Sequence, residues 1–170
     1  MAVIFAFRCR SCGKLHEGSP SFGFPAPLYY LQLPESERER RAKLTSDTCV
    51  IDDEDRFIRS CLEIPIHGVD EPFLWGVWVS LSEASFQHYL DTWDEPDETA
   101  RYFGWLSNRL PFYPDTLNLK THVRPRRGGE RPSLTLEDNA HLLCIDWSRG
   151  IDVARAQTIA EAVMHRVRGS

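Results

Sequence analysis

Long apolar runs, an excess of positive charge and the familiar catalytic signatures are all missing from this 170-residue chain. No stretch reaches the roughly 18 apolar residues that a membrane span requires. The opening MAVIFAFRCR carries an apolar run too short for a secretory core, has no basic stretch ahead of it, and leads straight into Arg8 and Arg10. A cytosolic protein without a membrane partner is expected. Acidic residues outnumber basic ones by 25 to 20, which argues against bulk nucleic-acid binding. H-E-x-x-H, G-x-S-x-G and a phosphate-cradling glycine loop do not occur, so no catalytic residue is assigned. Internal repeats and low-complexity tracts are absent too. The length suits one domain over residues 1–170 with a core of its own.

Cysteine is sparse but pointed. Five of them, at positions 9, 12, 49, 61 and 144, cannot all pair within one chain. Without a secretory signal, reduced thiols are the expectation. Cys9 and Cys12 stand in FRCRSCGKLHEG, a turn over residues 7–18. Two thiolates two residues apart can share one tetrahedral zinc ion when the backbone turns tightly between them. Gly13 suits that turn, because the residue after the second cysteine often takes a conformation costly for a side chain with a Cβ. The pair is only half a site, and three readings stay open: a structural zinc knuckle, a redox pair, or reduced thiols without a cofactor. A redox pair should open a helix, whereas GKLHEGSPSFG follows here. No second C-x-x-C supplies the other half. His16 is nearest in sequence; Cys49, Cys61 and Cys144 all lie in strand-like stretches.

Along the chain, residues 2–8 read as a strand. Residues 18–34, with four prolines, read as an ordered loop packed across a sheet. PESERERRAKL (34–44) starts with a proline suited to a first helical position and reads as a solvated helix. DTCVID (47–52), RFIRSCLEIPI (56–66) and PFLWGVWVSL (72–81) read as strands, with HGVD as a hairpin connection. Ser80 and Glu83 form a capping box for a helix through SEASFQHYLDTW, with Phe86, Leu90 and Trp93 on its core side. YFGWLSN, LNLKTHVR, SLTLE and HLLCIDW read as further strands. Asp152 caps the last helix, whose stripe is Val153, Ala156, Ile159, Ala160, Val163, Met164 and Val167. The sum is an α+β fold: a largely antiparallel sheet, about three helices, two of them amphipathic and packed on it, and a zinc-knuckle-like N-terminal turn.

Charged and aromatic residues suggest a second kind of site. The turn VRPRRGGERP holds Arg124, Arg126, Arg127 and Arg131, and guanidinium groups can grip carboxylate or phosphate bidentately. A solvated hairpin tip is the simpler reading. Glu63 lies among apolar residues in CLEIPI and sits either beside a ligand or on a solvent face. An enzyme acting on a small anionic substrate would use Glu63 as acid or base and Arg59 or Arg131 as anion holders, in a pocket lined by Trp78 or Trp105. Those two tryptophans fit a packed core equally well.

CRSCGKLHE, SFGFPAP, RAKLTSDTCVID, FIRSCLEIPI, WGVWVSLSEASF, FGWLSNRLPFYPDTLNLKTHV, GERP and the late GID together closely resemble the bacterial family filed as domain of unknown function 2199. The resemblance runs from about Phe7 to the last helix. It implies an intracellular single-domain protein with no assigned activity. The family pattern includes the paired cysteines, here Cys9 and Cys12, and an aspartate–x–cysteine element, here Asp47 and Cys49. It thereby makes Cys49 the first choice for a third ligand, beside His16. The expectation is a non-enzymatic module that binds a protein or small molecule, its N-terminal corner held by zinc.

Overall fold

A computed structural model describes residues 1–137 and 140–166. Its centre is a hairpin of two long strands, β6 (Asp55–Ile64) and β7 (Phe73–Leu81), paired without interruption from Arg56↔Leu81 to Ile64↔Phe73. Strict alternation divides its side chains. Ile58, Leu62, Ile64, Phe73, Trp75, Val77 and Val79 enter the main core, while Phe57 and Trp78 join a second cluster with Cys49 and Ile51. Burial on both faces explains why WGVWV is nearly continuous in apolar residues rather than alternating.

Among the described residues six further strands extend the sheet from this pair, four directly and two through a neighbour: β3 (Ser21–Gly23), β4 (Ala42–Leu44), β5 (Thr48–Ile51), β8 (Tyr102–Leu106), β9 (Lys120–Arg124) and β10 (Ser133–Leu136). Each long strand divides its free edge between two short ones. On β6, residues 55–58 hold β5 and Cys61 meets β10. On β7, residues 74–76 hold β3 and residues 79–81 hold β8. The antiparallel run β8–β9–β10 then returns to β6, so β6, β7, β8, β9 and β10 close into a five-stranded barrel. The sheet is therefore mixed, not simply antiparallel. A ring with an odd number of strands cannot alternate direction all the way round, and here the like pair is β10–β6. A second parallel pairing, β3–β7, comes from the proline-rich segment.

Among the described residues five helices accompany the strands, where about three were expected: α1 (Leu28–Leu31), α2 (Glu35–Arg41), α3 (Glu83–Asp91), α4 (Leu142–Arg149) and α5 (Val153–His165). The stretch HLLCIDW is α4 rather than a strand; a short apolar run has no period of its own, and His141 caps it by accepting the Leu143 N–H through Nδ1. Ser80 lies inside β7, and the cap of α3 is Ser82, which accepts the Ser85 N–H. That start turns Phe86 and Tyr89 inward and leaves Leu90 and Trp93 exposed. In α5, Asp152 caps as expected, and Ala156, Ile159 and Ala160 are buried; Val167 lies outside the described residues. The proline-rich segment is ordered but not merely a loop, since it contributes β3 and α1. Tyr29, Tyr30 and Leu33 then cover the second cluster.

A buried amide ties these pieces together. Asn108 accepts the Trp78 N–H through Oδ1 at 2.7 Å and donates through Nδ2 to the Ala26 carbonyl at 3.0 Å. Removing it strands a donor on β7 and an acceptor in the covering segment, both away from water. Asn108→Ala is expected to lower unfolding stability by about 3 kcal/mol in urea titrations. A loss below about 1 kcal/mol would mean the amide bridges nothing of consequence.

Candidate metal centre

The N-terminal corner is a small hairpin outside the barrel: β1 (Ala6–Arg8) pairs with β2 (Leu15–Glu17), matching Phe7 with His16 and Arg8 with Leu15. Between them the chain turns through R-S-C-G. The Gly13 N–H donates to the Cys9 carbonyl at 2.8 Å, and the Cys9 N–H donates to the Lys14 carbonyl at 2.9 Å. Gly13 has φ +70°, the left-handed conformation that glycine takes without steric cost. Phe5, Phe7 and Cys9 point into the main core, so the hairpin is anchored by one face.

Helix α5 meets the other side of the turn. Gln157, Glu161 and His165 recur every four residues and therefore share one face of the helix. Gln157 donates to the Arg8 carbonyl, and Glu161 accepts both the backbone N–H and the Nε of Arg10, each at 2.9 Å. Burial pushes the Glu161 carboxyl up, but donation from the Arg10 N–H, Gln157 and the Arg10 guanidinium holds it below its ordinary value. One turn further on, Nε2 of His165 lies 3.0 Å from Sγ of Cys9.

Cys9, Cys12 and His165 thus converge, with ligand atoms all within 4.8 Å of one another. Cys9 is buried, while Cys12 and His165 are half-buried. Burial raises the Cys9 thiol; the N–H groups of Cys12 and Ser11, then the Cys12 and His165 side chains, outweigh it and bring the thiol down to about 7. Two sulfurs and an imidazole in this arrangement can hold a metal ion. His16 stands at the edge of the group: its Nε2 is 3.6 Å from Sγ of Cys12, and its ring stacks on Phe7 at 5.2 Å.

The other expected site residues fall elsewhere. Cys49 is fully buried beside Phe57 and Trp78 in the second cluster, where burial pushes its thiol up to about 12. It does not join the Cys9–Cys12 pair, and His165 stands where Cys49 was expected. Glu63 faces outward and pairs with Arg126 at 3.0 Å; Arg131 pairs with Asp47 at 2.9 Å. Arg59 lies on the same face of β6, its guanidinium over Gly23 and Gly76, where a Cβ on Gly23 would sit 3.0 Å from it. Trp78 is buried and Trp105 is exposed on β8, and neither lines the cavity bordered by Arg126 and Arg131. His165 was missed although a signal existed: polar Gln157, Glu161 and His165 run beside the apolar stripe of α5 at the same four-residue spacing.

Glu161→Gln is expected to loosen the hairpin without unfolding the barrel. Amide exchange across residues 9–17 should rise about tenfold, the equivalent of one charge-assisted hydrogen bond, with exchange in β6 and β7 unchanged. Equal acceleration in all three would show that the clamp is not local.

The comparison with curated proteins and the comparison with solved structures gave no match. The family model described as an uncharacterised protein conserved in bacteria matches residues 8–151, a segment that takes in Cys9, Cys12 and His16 and ends just before α5 with its His165. The chain belongs to that bacterial family, domain of unknown function 2199.

Proposed function

We propose that Cys9, Cys12, His165 and His16 bind a structural zinc ion in a cytosolic, non-enzymatic binding module. The observation that carries this reading is the convergence of both knuckle thiols with an imidazole 153 positions further on than Cys12 (165 − 12). With Zn–S near 2.3 Å and Zn–N near 2.0–2.1 Å, a tetrahedral ion sets neighbouring sulfur and nitrogen ligands about 3.6 Å apart. The Cys12–His16 contact is 3.6 Å, and the Cys9–His165 contact, at 3.0 Å, widens by little to reach that value. Cys9, Cys12 and His165 supply three donors; His16, drawn in from its place beside Cys12, would supply the fourth and leave no position for water or substrate, as in a structural rather than a catalytic zinc. The ion would staple the hairpin to α5, the role that Glu161 already serves from the next turn. Cys9, Cys12, Cys49 and Cys61 are free thiols, which supports a reducing interior; no helix among the described residues is long and apolar enough to cross a membrane.

Protein purified without a histidine tag should carry close to one equivalent of zinc by elemental analysis. Chelation should lower its melting temperature by roughly 5–10 °C: hundredfold saturation is worth about 2.7 kcal/mol, and each kcal/mol moves a domain of this size by about 2–4 °C. Less than a tenth of an equivalent, with unchanged melting, would remove the metal from the account.

The ligand set has its own test in cobalt substitution. Cys9→Ser and His165→Ala should abolish the tetrahedral d–d bands, and His16→Ala should weaken and shift them as water takes the fourth position. Cys49→Ser should leave the spectrum untouched. Loss of the bands in Cys49→Ser, with retention in His165→Ala, would restore the assignment suggested by the family pattern.

A further inference from the structure

A cavity of about 320 Å³, sharing no residue with the metal centre, opens between the end of α3 and the β9–β10 turn, within the range of small-molecule sites. One wall is aromatic. Tyr89 and Trp93 meet edge to face with centroids 5.5 Å apart, and Trp93 is 48% exposed. The facing wall is the arginine-bearing turn. Arg126 is committed to holding it, donating through Nε to the Arg131 carbonyl at 2.7 Å and through Nη1 to Glu63 at 3.0 Å. Arg131 gives only Nε, to Oδ1 of Asp47 at 2.9 Å. Among the described residues nothing accepts from its two terminal nitrogens, so a flat pair of donors stays available. The Tyr89 hydroxyl also lacks an internal hydrogen bond among those residues and remains a neutral donor.

Charge decides what such a cavity would hold. Its lining carries three carboxylates (Asp47, Asp94 and Glu130) against two guanidiniums, a formal balance of −1, so a simple anion meets repulsion as well as grip. Asp94 is exposed and has no ion pair or hydrogen bond among the described residues. The C-terminal end of α3 adds partial negative charge beside it. An ammonium is favoured on that side, a carboxylate at the Arg131 fork, and a flat ring against Trp93.

We infer that this cavity binds a free α-amino acid with an aromatic side chain, its carboxylate on Arg131, its ammonium towards Asp94 and its ring on Trp93. The site is separate from the metal centre and does not depend on it.

Calorimetric titration of the full chain with L-phenylalanine, 3-phenylpropionate and phenethylamine tests this directly. Phenylalanine should bind saturably in the millimolar range or tighter, and each truncated ligand at least about tenfold more weakly, the cost of one charge-assisted contact. Asp94→Asn should remove the advantage of phenylalanine over 3-phenylpropionate. Arg131→Gln should remove its advantage over phenethylamine. Because Arg131 also holds Asp47, melting of that variant is recorded; if it fails to fold, the three ligands on the wild-type chain and Asp94→Asn decide alone. Equal binding of 3-phenylpropionate would make this a plain anion site, equal binding of phenethylamine a cation site, and no saturable binding would leave only a surface cleft. Each of these outcomes overturns the inference.

Discussion

The long β6–β7 ladder is the constraint from which the rest follows. Two strands of ten and nine residues pair from Arg56↔Leu81 to Ile64↔Phe73, and strands so long twist strongly. Twist carries the two ends of each outer edge in different directions, so no single neighbour can follow either edge to its end. Each edge is therefore filled in halves: β5 and β10 on β6, β3 and β8 on β7. One set of halves closes the barrel. The other set extends away from it and, covered by the proline-rich segment, forms the second cluster around Trp78 and Phe57. Asn108 sits where the two sets part, bonded to β7 on one side and to the covering segment on the other.

That geometry explains what could be read from the amino-acid order and what could not. RFIRSCLEIPI and PFLWGVWVSL announce themselves as strands because β-branched and aromatic residues fill them, and α5 announces itself through Asp152 and the Ala156–Ile159–Ala160 stripe. These are local properties. Barrel closure is not local: it rests on a single parallel register, Ser133 opposite Cys61, made by two strands about 70 residues apart, and no short-range pattern encodes it. HLLCIDW misled for the converse reason. A run of that length is compatible with either period, and the deciding feature is a histidine serving as cap, a role more often filled by Ser, Thr, Asp or Asn.

The half-site shows the same division. Cys9-x-x-Cys12-Gly13 is a local turn, legible because a tight backbone and a positive φ leave few alternatives. Its completing partner comes from the far end of the chain and depends on how α5 is rotated. The family pattern pointed to Cys49, yet in this chain Cys49 is packed against Phe57 and Trp78. A thiol in that setting stays protonated, since its charged form would lie among aromatic rings with nothing to offset it. Cys9 is equally shielded from solvent but faces N–H groups and an imidazole, and its environment favours the thiolate. Burial alone therefore does not separate a ligand from a core residue; the polarity of the neighbours does.

A hairpin of two three-residue strands has no independent stability, so something must hold β1 and β2 against the barrel. Phe5 and Phe7 supply an apolar foot in the main core, but apolar contact is indifferent to register. Direction comes from α5, where Glu161 takes both a backbone and a side-chain donor of Arg10 and Gln157 takes the Arg8 carbonyl. These bonds set the turn at one height on the helix, and that height places Cys9 opposite His165. The donor cluster is thus a consequence of the clamp before it is a site for any ion, because the helix must already be seated for the imidazole to arrive. A metal added to this arrangement would tighten a contact the polypeptide has preorganised, which is the condition under which binding energy appears as stability of the folded chain rather than being consumed in ordering it.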